Sequence, residues 1–119
     1  MSDLNSIFIV GRLTADPTLK YTDKGTQMMT FNLANNQVSF DKQTQEFKQK
    51  AGFFNIVLFG KQCESLGNIL KKGHRIGVNG KLQQDQYVSK NGEKRSSIKI
   101  VAQYIQYLDV KRTTEDVVN

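Results

Sequence analysis

Phe53-Phe54-Asn55-Ile56-Val57-Leu58-Phe59 is the stretch whose reading decides the fold. Alternate residues of a β-strand point to opposite faces. One parity, Phe54, Ile56 and Leu58, is wholly apolar and predicts a face turned to a core. The other parity, Phe53, Asn55, Val57 and Phe59, is interrupted by an amide and predicts a face turned outward. Two aromatic rings then stand on a partly polar outer surface, separated by about 20 Å along the strand. At that spacing they cannot sandwich one flat group, but they can serve separate units of a polymer.

Upstream, Ile7-Phe8-Ile9-Val10-Gly11-Arg12-Leu13 is β-rich, and its apolar residues fall on both parities, which predicts a strand covered on both faces for much of its length. Pro17 falls in a loop after it, and Asp23-Lys24-Gly25 reads as a turn. Met29, Phe31 and Leu33 then alternate with Thr30 and Asn32 as a half-buried strand. Residues 36–52 are polar, lack a helical stripe, and hold Phe40, Lys42, Phe47, Lys48 and Lys50. A connection this long inside a compact domain is usually functional or flexible, and an extended hairpin projecting from the barrel is expected.

Downstream, residues 61–72 read as the one helix, with Cys63, Leu66, Ile69 and Leu70 in a single stripe. Gly73 reads as its C′ stop, with Lys71 and Lys72 in a last turn where the helix dipole favours cations. The next strand carries Ile76, Val78 and Leu82 inward, with Arg75, Asn79, Lys81 and Tyr87 on the opposite parity. Lys90-Asn91-Gly92-Glu93 predicts a hairpin with a type I′ turn, leading into a last strand over about 95–108 with Ile98, Ile100 and Ala102 on one parity. Three strands, one helix and two strands predict a mainly β protein: a five-stranded OB-fold barrel with one helix between strands 3 and 4. The domain is expected over residues 1–110, with 111–119 a short C-terminal extension.

With 119 residues, 38% of them hydrophobic and 24% charged, the chain has room for one globular core. Seventeen Lys and Arg against eleven Asp and Glu give a net charge of +6. Glu115 and Asp116 lie in the last seven residues, so the body is more basic still. That balance points to a polyanion, nucleic acid before an anionic membrane surface, with solubility alone as the competing explanation. No run of eighteen apolar residues and no secretory signal pattern is present. A single cysteine, Cys63, fits a reducing cytoplasm and reads as a small core residue.

Catalytic chemistry finds no footing. His74 stands alone after the helix, expected as an exposed loop residue, and no cysteine pair accompanies it to make a zinc site. No glycine-rich phosphate loop or nucleophile elbow occurs. The carboxylates Asp16, Asp23, Asp41, Glu46, Asp85 and Glu93 are scattered without ligand spacing. No enzyme activity, metal or cofactor is expected.

Three blocks in order carry a resemblance. They are Phe8-Ile9-Val10-Gly11-Arg12-Leu13-Thr14-Ala15-Asp16-Pro17-Thr18-Leu19-Lys20-Tyr21; then Phe53 through Lys61; then Leu70-Lys71-Lys72-Gly73 with Val78-Asn79-Gly80-Lys81-Leu82-Gln83. With these the chain resembles the bacterial-type single-stranded DNA-binding proteins, homo-oligomeric proteins of DNA replication, recombination and repair. The resemblance implies sequence-non-specific binding of single-stranded DNA in the bacterial cytoplasm or nucleoid. It implies base stacking at Phe40, Phe53, Phe59 and Tyr87. It implies backbone contacts at Arg12, Lys20, Lys42, Lys48, Lys61, Lys72, Lys81 and Arg95. A homo-oligomer, tetramer before dimer, and contact with replication or recombination proteins follow from the same resemblance. Stacking is sequence-tolerant because every base has a π-face, and cations add a counterion-release contribution.

Competing roles remain for these residues: a neighbouring subunit for Phe53 and Phe59, a barrel cap for Phe40, cross-hairpin pairing for Tyr87, and plain solvation for each lysine. An RNA-binding OB domain and a replication-complex interaction module are the alternative functions. Two departures stand out. Gln83-Gln84-Asp85-Gln86 is neutral to acidic where many family members are basic, which predicts a gap in the cationic track. The chain also stops at Asp116-Val117-Val118-Asn119 without the family's glycine- and proline-rich linker and acidic tail, a short form that fits a phage or mobile-element protein.

Overall fold

The computed structural model describes residues 3–109. The elements are β1 (Ile7–Leu13), β2 (Thr18–Tyr21), β3 (Gln27–Asp41), β4 (Glu46–Phe59), α1 (Gln62–Ile69), β5 (Arg75–Val88) and β6 (Lys94–Tyr107). Hydrogen bonding runs β1-β5-β6-β4-β3-β2, and β1 also pairs with β3. That second pairing, Leu13 to Leu33 and Arg12 to Ala34, closes five strands into the expected OB barrel. The sixth strand, β2, is an addition to the expected order: four residues just past Pro17 that zip onto the β3 edge from Thr18↔Thr30 to Tyr21↔Gln27.

The core is built by the expected parities. Leu13, Met29, Leu33, Ile56, Leu58, Ile76, Val78 and Ile100 are buried inside the barrel. Each fully buried side chain of this size contributes about 1.5–3 kcal/mol relative to exposure. Cys63 on α1 and Leu70 just beyond it are fully buried and plug the barrel end, with Leu66 half-buried beside them. Gly11 and Gly80 lie where strands approach closely: a Cβ on Gly11 would run into the Ala34 carbonyl, and one on Gly80 into the Val101 carbonyl. Opposite Gly80 the register slips, pairing Asn79 with Tyr104 but Gly80 with Ala102 and leaving Gln103 extra. The bulge flips the parity of β6, so Ile100 and Ala102 face inward before it and Ile105 and Tyr107 pack on the core after it.

Several expectations need correction. The helix is shorter than residues 61–72, because Leu70 is already extended (φ −77°, ψ 130°) and has no basic residue in its last turn. Gly73 (φ +87°) serves a turn in which His74 N–H donates to the Lys71 carbonyl at 3.1 Å, and so is not the helix C′ residue. Ile69 is exposed, leaving the stripe to Cys63, Leu66 and Leu70. His74 is only half-buried and structural: its Nδ1 accepts the Lys71 N–H at 3.1 Å and its ring meets Tyr107 edge-on at 5.1 Å. The β5–β6 turn is not type I′, because Gly92 (φ +79°) is left-handed and Asn91 is not; Gly92 N–H donates to the Ser89 carbonyl at 2.9 Å inside a five-residue loop. Leu82 is exposed, lying where β5 has left the barrel. In the single chain β1 is covered on one face only, with Phe8 at 80% exposure.

Residues 36–52 do form a hairpin. β3 and β4 stay paired from Asn35↔Gly52 to Asp41↔Glu46, an arm whose residues are exposed on both faces for most of its length. The Asp41 carboxylate shapes its tip, accepting the Gln43 N–H at 2.9 Å, and Gln45 takes a left-handed φ of 58° there. A second arm is formed by β5 and β6 out to Val88↔Lys94. The expected extension, 111–119, lies outside the described residues.

Candidate nucleic-acid interface

Directly paired residues of neighbouring strands present their side chains on the same face. Starting from the outer parity of β4, the pairs Phe59↔Met28, Val57↔Thr30, Asn55↔Asn32, Phe53↔Ala34 and Phe47↔Phe40 extend that face onto β3 and along the first arm. The parallel pair Val57↔Val101 carries it onto β6, and Lys81↔Val101, Gln83↔Lys99, Asp85↔Ser97 and Tyr87↔Arg95 carry it to β5 and the second arm. In the other direction Lys20↔Met28 and Thr18↔Thr30 carry it to β2. One continuous face therefore holds Phe40, Phe53, Phe59 and Tyr87, the four aromatics singled out from the sequence. Phe53 is 66% exposed and Phe59 38%, with Phe40 and Tyr87 at 50% each.

Val57 departs from the expected outward exposure: it is only 6% exposed. It lies on a central strand with Thr30 on one flank and Val101 on the other. Its side chain is the floor of an open trough of about 410 Å³ whose walls include Thr14, Asp16, Thr30, Asn32, Asn55, Ser97 and Lys99. Hydroxyls and amides share the lining with the apolar Ala15, Phe31, Ile56 and Ile98, so the trough is mixed in character.

The cations divide into two groups. Lys20 and Lys81 share the aromatic face. Lys42 projects at the tip of the first arm, Lys61 follows Phe59 after Gly60, and Lys72 lies in the turn after α1, where its N–H donates to Asp16 Oδ1 at 2.8 Å. The others are held by carboxylates. Arg12 flanks Ala34 on the aromatic side, but its guanidinium donates to the Gly73 carbonyl at 2.8 Å and lies 3.6 Å from Asp109. Arg95 pairs with Glu93 at 3.1 Å. Lys48 is not brought to the face: it has the opposite parity to Phe47 and pairs with Asp41 at 3.0 Å. That ammonium, followed by the Gln43 amide, holds the Asp41 carboxyl below its ordinary range.

Two residues of the face were not singled out from the sequence. Phe47 is 74% exposed and meets Phe40 at 5.2 Å between ring centroids. Its signal was the symmetric spacing of Phe40 and Phe47 about a six-residue turn segment, which pairs them once the arm is a hairpin. Lys99 lines the trough, but its ammonium is 2.9 Å from Asp85. The expected gap at residues 83–86 is therefore wider than the missing bases alone, since Asp85 also occupies a cation from the neighbouring strand. Cys63 stays clear of the surface, and burial pushes its thiol up.

A second, separate strip is apolar. Phe8 and Val10 on β1 stand with Gly77 and Asn79 of β5 and Tyr104 of β6 around a shallow depression on the outer wall. Among the described residues no helix is long and apolar enough to cross a membrane.

Known proteins share this fold. The model of the single-strand binding protein family matches residues 4–108. A single-stranded DNA-binding protein of Bacillus cereus is 38% identical over 106 residues, 89% of this chain and 61% of that protein. A Clostridium acetobutylicum relative, single-stranded DNA-binding protein 3, is 41% identical over 89% of this chain and 72% of its own length. The chain thus spans under two thirds of the Bacillus cereus relative. Among solved structures, the Plasmodium falciparum SSB in complex with ssDNA superposes with a TM-score of 0.82 at 29% identity, covering 92% of this chain and 98% of that one. A deletion mutant of the single-stranded DNA binding protein from Thermus aquaticus gives 0.78 at 34% identity, covering 89% and 51%.

Proposed function

The chain belongs to the single-strand binding protein family, and from that premise we propose that it binds single-stranded DNA without sequence preference and protects it during replication, recombination and repair. The observation that carries the reading is the continuous face holding Phe40, Phe53, Phe59 and Tyr87 around an open trough. In an OB barrel this face, between the loop after the first strand and the loop between the last two, is the one suited to an oligonucleotide. Only an unpaired strand exposes base faces to the rings, so stacking itself selects single strands. Lys20, Lys42, Lys61, Lys72 and Lys81 neutralise phosphates along the path, with Arg12 and Arg95 contributing once released from their carboxylates. Lys48 joins only if the strand wraps the far side of the arm. The function is binding and not catalysis.

The bare Phe8, Val10 and Tyr104 strip supports a homo-oligomer, since an exposed apolar surface of this kind gains by meeting another copy. A tetramer is the assembly we favour, and the bacterial cytoplasm is the setting that a single buried thiol fits.

A salt series of dT-oligomer binding against a matched duplex and a matched RNA tests the reading. Tight dT binding that weakens with salt yet persists at high salt is the expected result. Equal affinity for duplex, or a preference for RNA, would overturn it.

A further inference from the structure

The cations of the aromatic face are unequally available. Among the described residues Lys20, Lys42, Lys61, Lys72 and Lys81 form no ion pair, and they lie on the β2 strand, the first arm, the turns flanking α1 and the barrel part of β5. On the second arm both cations of the face are taken: Arg95 by Glu93 at 3.1 Å and Lys99 by Asp85 at 2.9 Å. The two pairs differ in kind. Glu93 belongs to the exposed loop at the arm's end, two residues from its partner in the chain. Asp85 is fixed within a strand, and both of its oxygens are engaged, Oδ2 by Lys99 and Oδ1 by the Gln83 amide at 3.0 Å. Asp85, Gln83, Ser97 and Lys99 form one two-by-two block on the face, and Ser97 and Lys99 also wall the trough.

A DNA phosphate approaching Lys99 meets a site already filled by a carboxylate of the same charge. We propose that Asp85 is a built-in competitor for the phosphate at Lys99, held in place by Gln83, which keeps the second arm's grip on single-stranded DNA weak and reversible. The inference rests on the single-strand reading above. Its physical content is a swap: the Lys99 ammonium exchanges one anionic partner for another, so the counterion released from the DNA is offset by a cation drawn to Asp85, which is left facing the phosphate. Affinity and salt dependence both fall below what the count of cations would give. The DNA path is correspondingly anchored by the first arm and by the β2 side, with the second arm contributing the Tyr87 ring more than charge.

The test is a two-by-two cycle of D85N and K99Q, read by dT-oligomer binding across salt, with thermal melting to confirm folding. The Asn at position 85 keeps an oxygen for Gln83, so the arm's local bond survives. The expected result is that D85N binds roughly three- to tenfold tighter at low salt, with a log–log salt slope steeper by about 0.7, one more single-strand phosphate contact. K99Q alone changes affinity less than about twofold, because the cation it removes is already neutralised. In the double variant the gain from D85N shrinks to the small effect of net charge. An unchanged affinity and slope in D85N would overturn the proposal, as would an equal gain with Gln at 99, which would make Asp85 a distant charge and no competitor. Wild-type protein that binds no dT oligomer at any salt overturns the single-strand reading and the competitor with it; wild-type binding with D85N unchanged overturns the competitor alone.

Discussion

Truncating Phe53 and Phe59 tests the aromatic face most directly. Each ring stands exposed on β4, and stacking one base is worth about 1–3 kcal/mol by alanine substitution. Taking about 2 kcal/mol for each, a single variant loses roughly thirtyfold in affinity. Six residues of strand hold the rings about 20 Å apart. At that separation, with no shared partner, the two losses should add within about 0.5 kcal/mol. The double variant Phe53→Ala with Phe59→Ala then loses about 4 kcal/mol, on the order of a thousandfold, and at the lower bound of stacking still more than tenfold. Folding should suffer little at Phe53, which is two-thirds exposed already, and more at Phe59, which is 38% exposed. The assay is fluorescence anisotropy of a labelled dT oligomer at several salt concentrations. Stacking displaces no counterions, so the salt slope should be that of wild type while the whole line drops. A double variant within threefold of wild type, or a loss that appears only as a shallower slope, would refute the reasoning.

Phe40 and Phe47 should behave differently, because they touch at 5.2 Å: their double variant should lose less or more than the sum of the singles, with a coupling of about 0.5–1.5 kcal/mol in a binding cycle. Gly80→Ala drives a Cβ into the Val101 carbonyl at the β6 bulge and should lower urea-melt stability by about 2–4 kcal/mol. Cys63 should resist a thiol reagent in native buffer and react fully in denaturant, since it is buried with its thiol pushed up. Asp41 and Asp85 sit below the ordinary value of 3.8, held there by Lys48 and Lys99 respectively. A depressed carboxyl stabilises the fold above its unfolded pKa and loses that contribution as pH falls through the folded one, so the two ion pairs should survive at pH 5 and be lost only below 3.8. Carbon-detected NMR titration of the two carboxyls should give midpoints under that value.

The barrel was legible because its signal is parity, and parity survives wherever a core enforces it. Ile56 and Leu58 against Phe53 and Phe59 divide as the alternation requires. Neighbours can override parity: Val57 points outward yet is covered by the strands on both sides. Leu82 is apolar on the inward parity yet exposed, because its strand has left the barrel. A bulge at Gln103 carries no local sequence signature, so the switch of β6 from Ala102 to Ile105 became visible only in the pairing. The short strand β2 was hidden for a different reason: four residues without alternation are held by the β3 edge and not by their own pattern. For the site, the aromatics were legible and the charges were not. A lysine in a sequence is a cation, whereas in the fold Lys48, Lys99, Arg12 and Arg95 are each half of a pair, and the other halves lie two to about a hundred residues away.

The first arm has a consequence for how such a protein can change. Its rungs beyond Asn35 and Gly52 bury almost nothing and brace no other strand. None of them belongs to the buried core, which runs from Leu13 to Ala102. Lengthening, shortening or recharging the arm alters the reach of the aromatic face at little risk to folding, whereas a comparable change at Gly80 or Leu58 strikes the whole molecule. Inheritance thus has a dial on one side of the protein and a lock on the other: variation in binding can accumulate on a ribbon that the rest of the chain does not need in order to hold its shape.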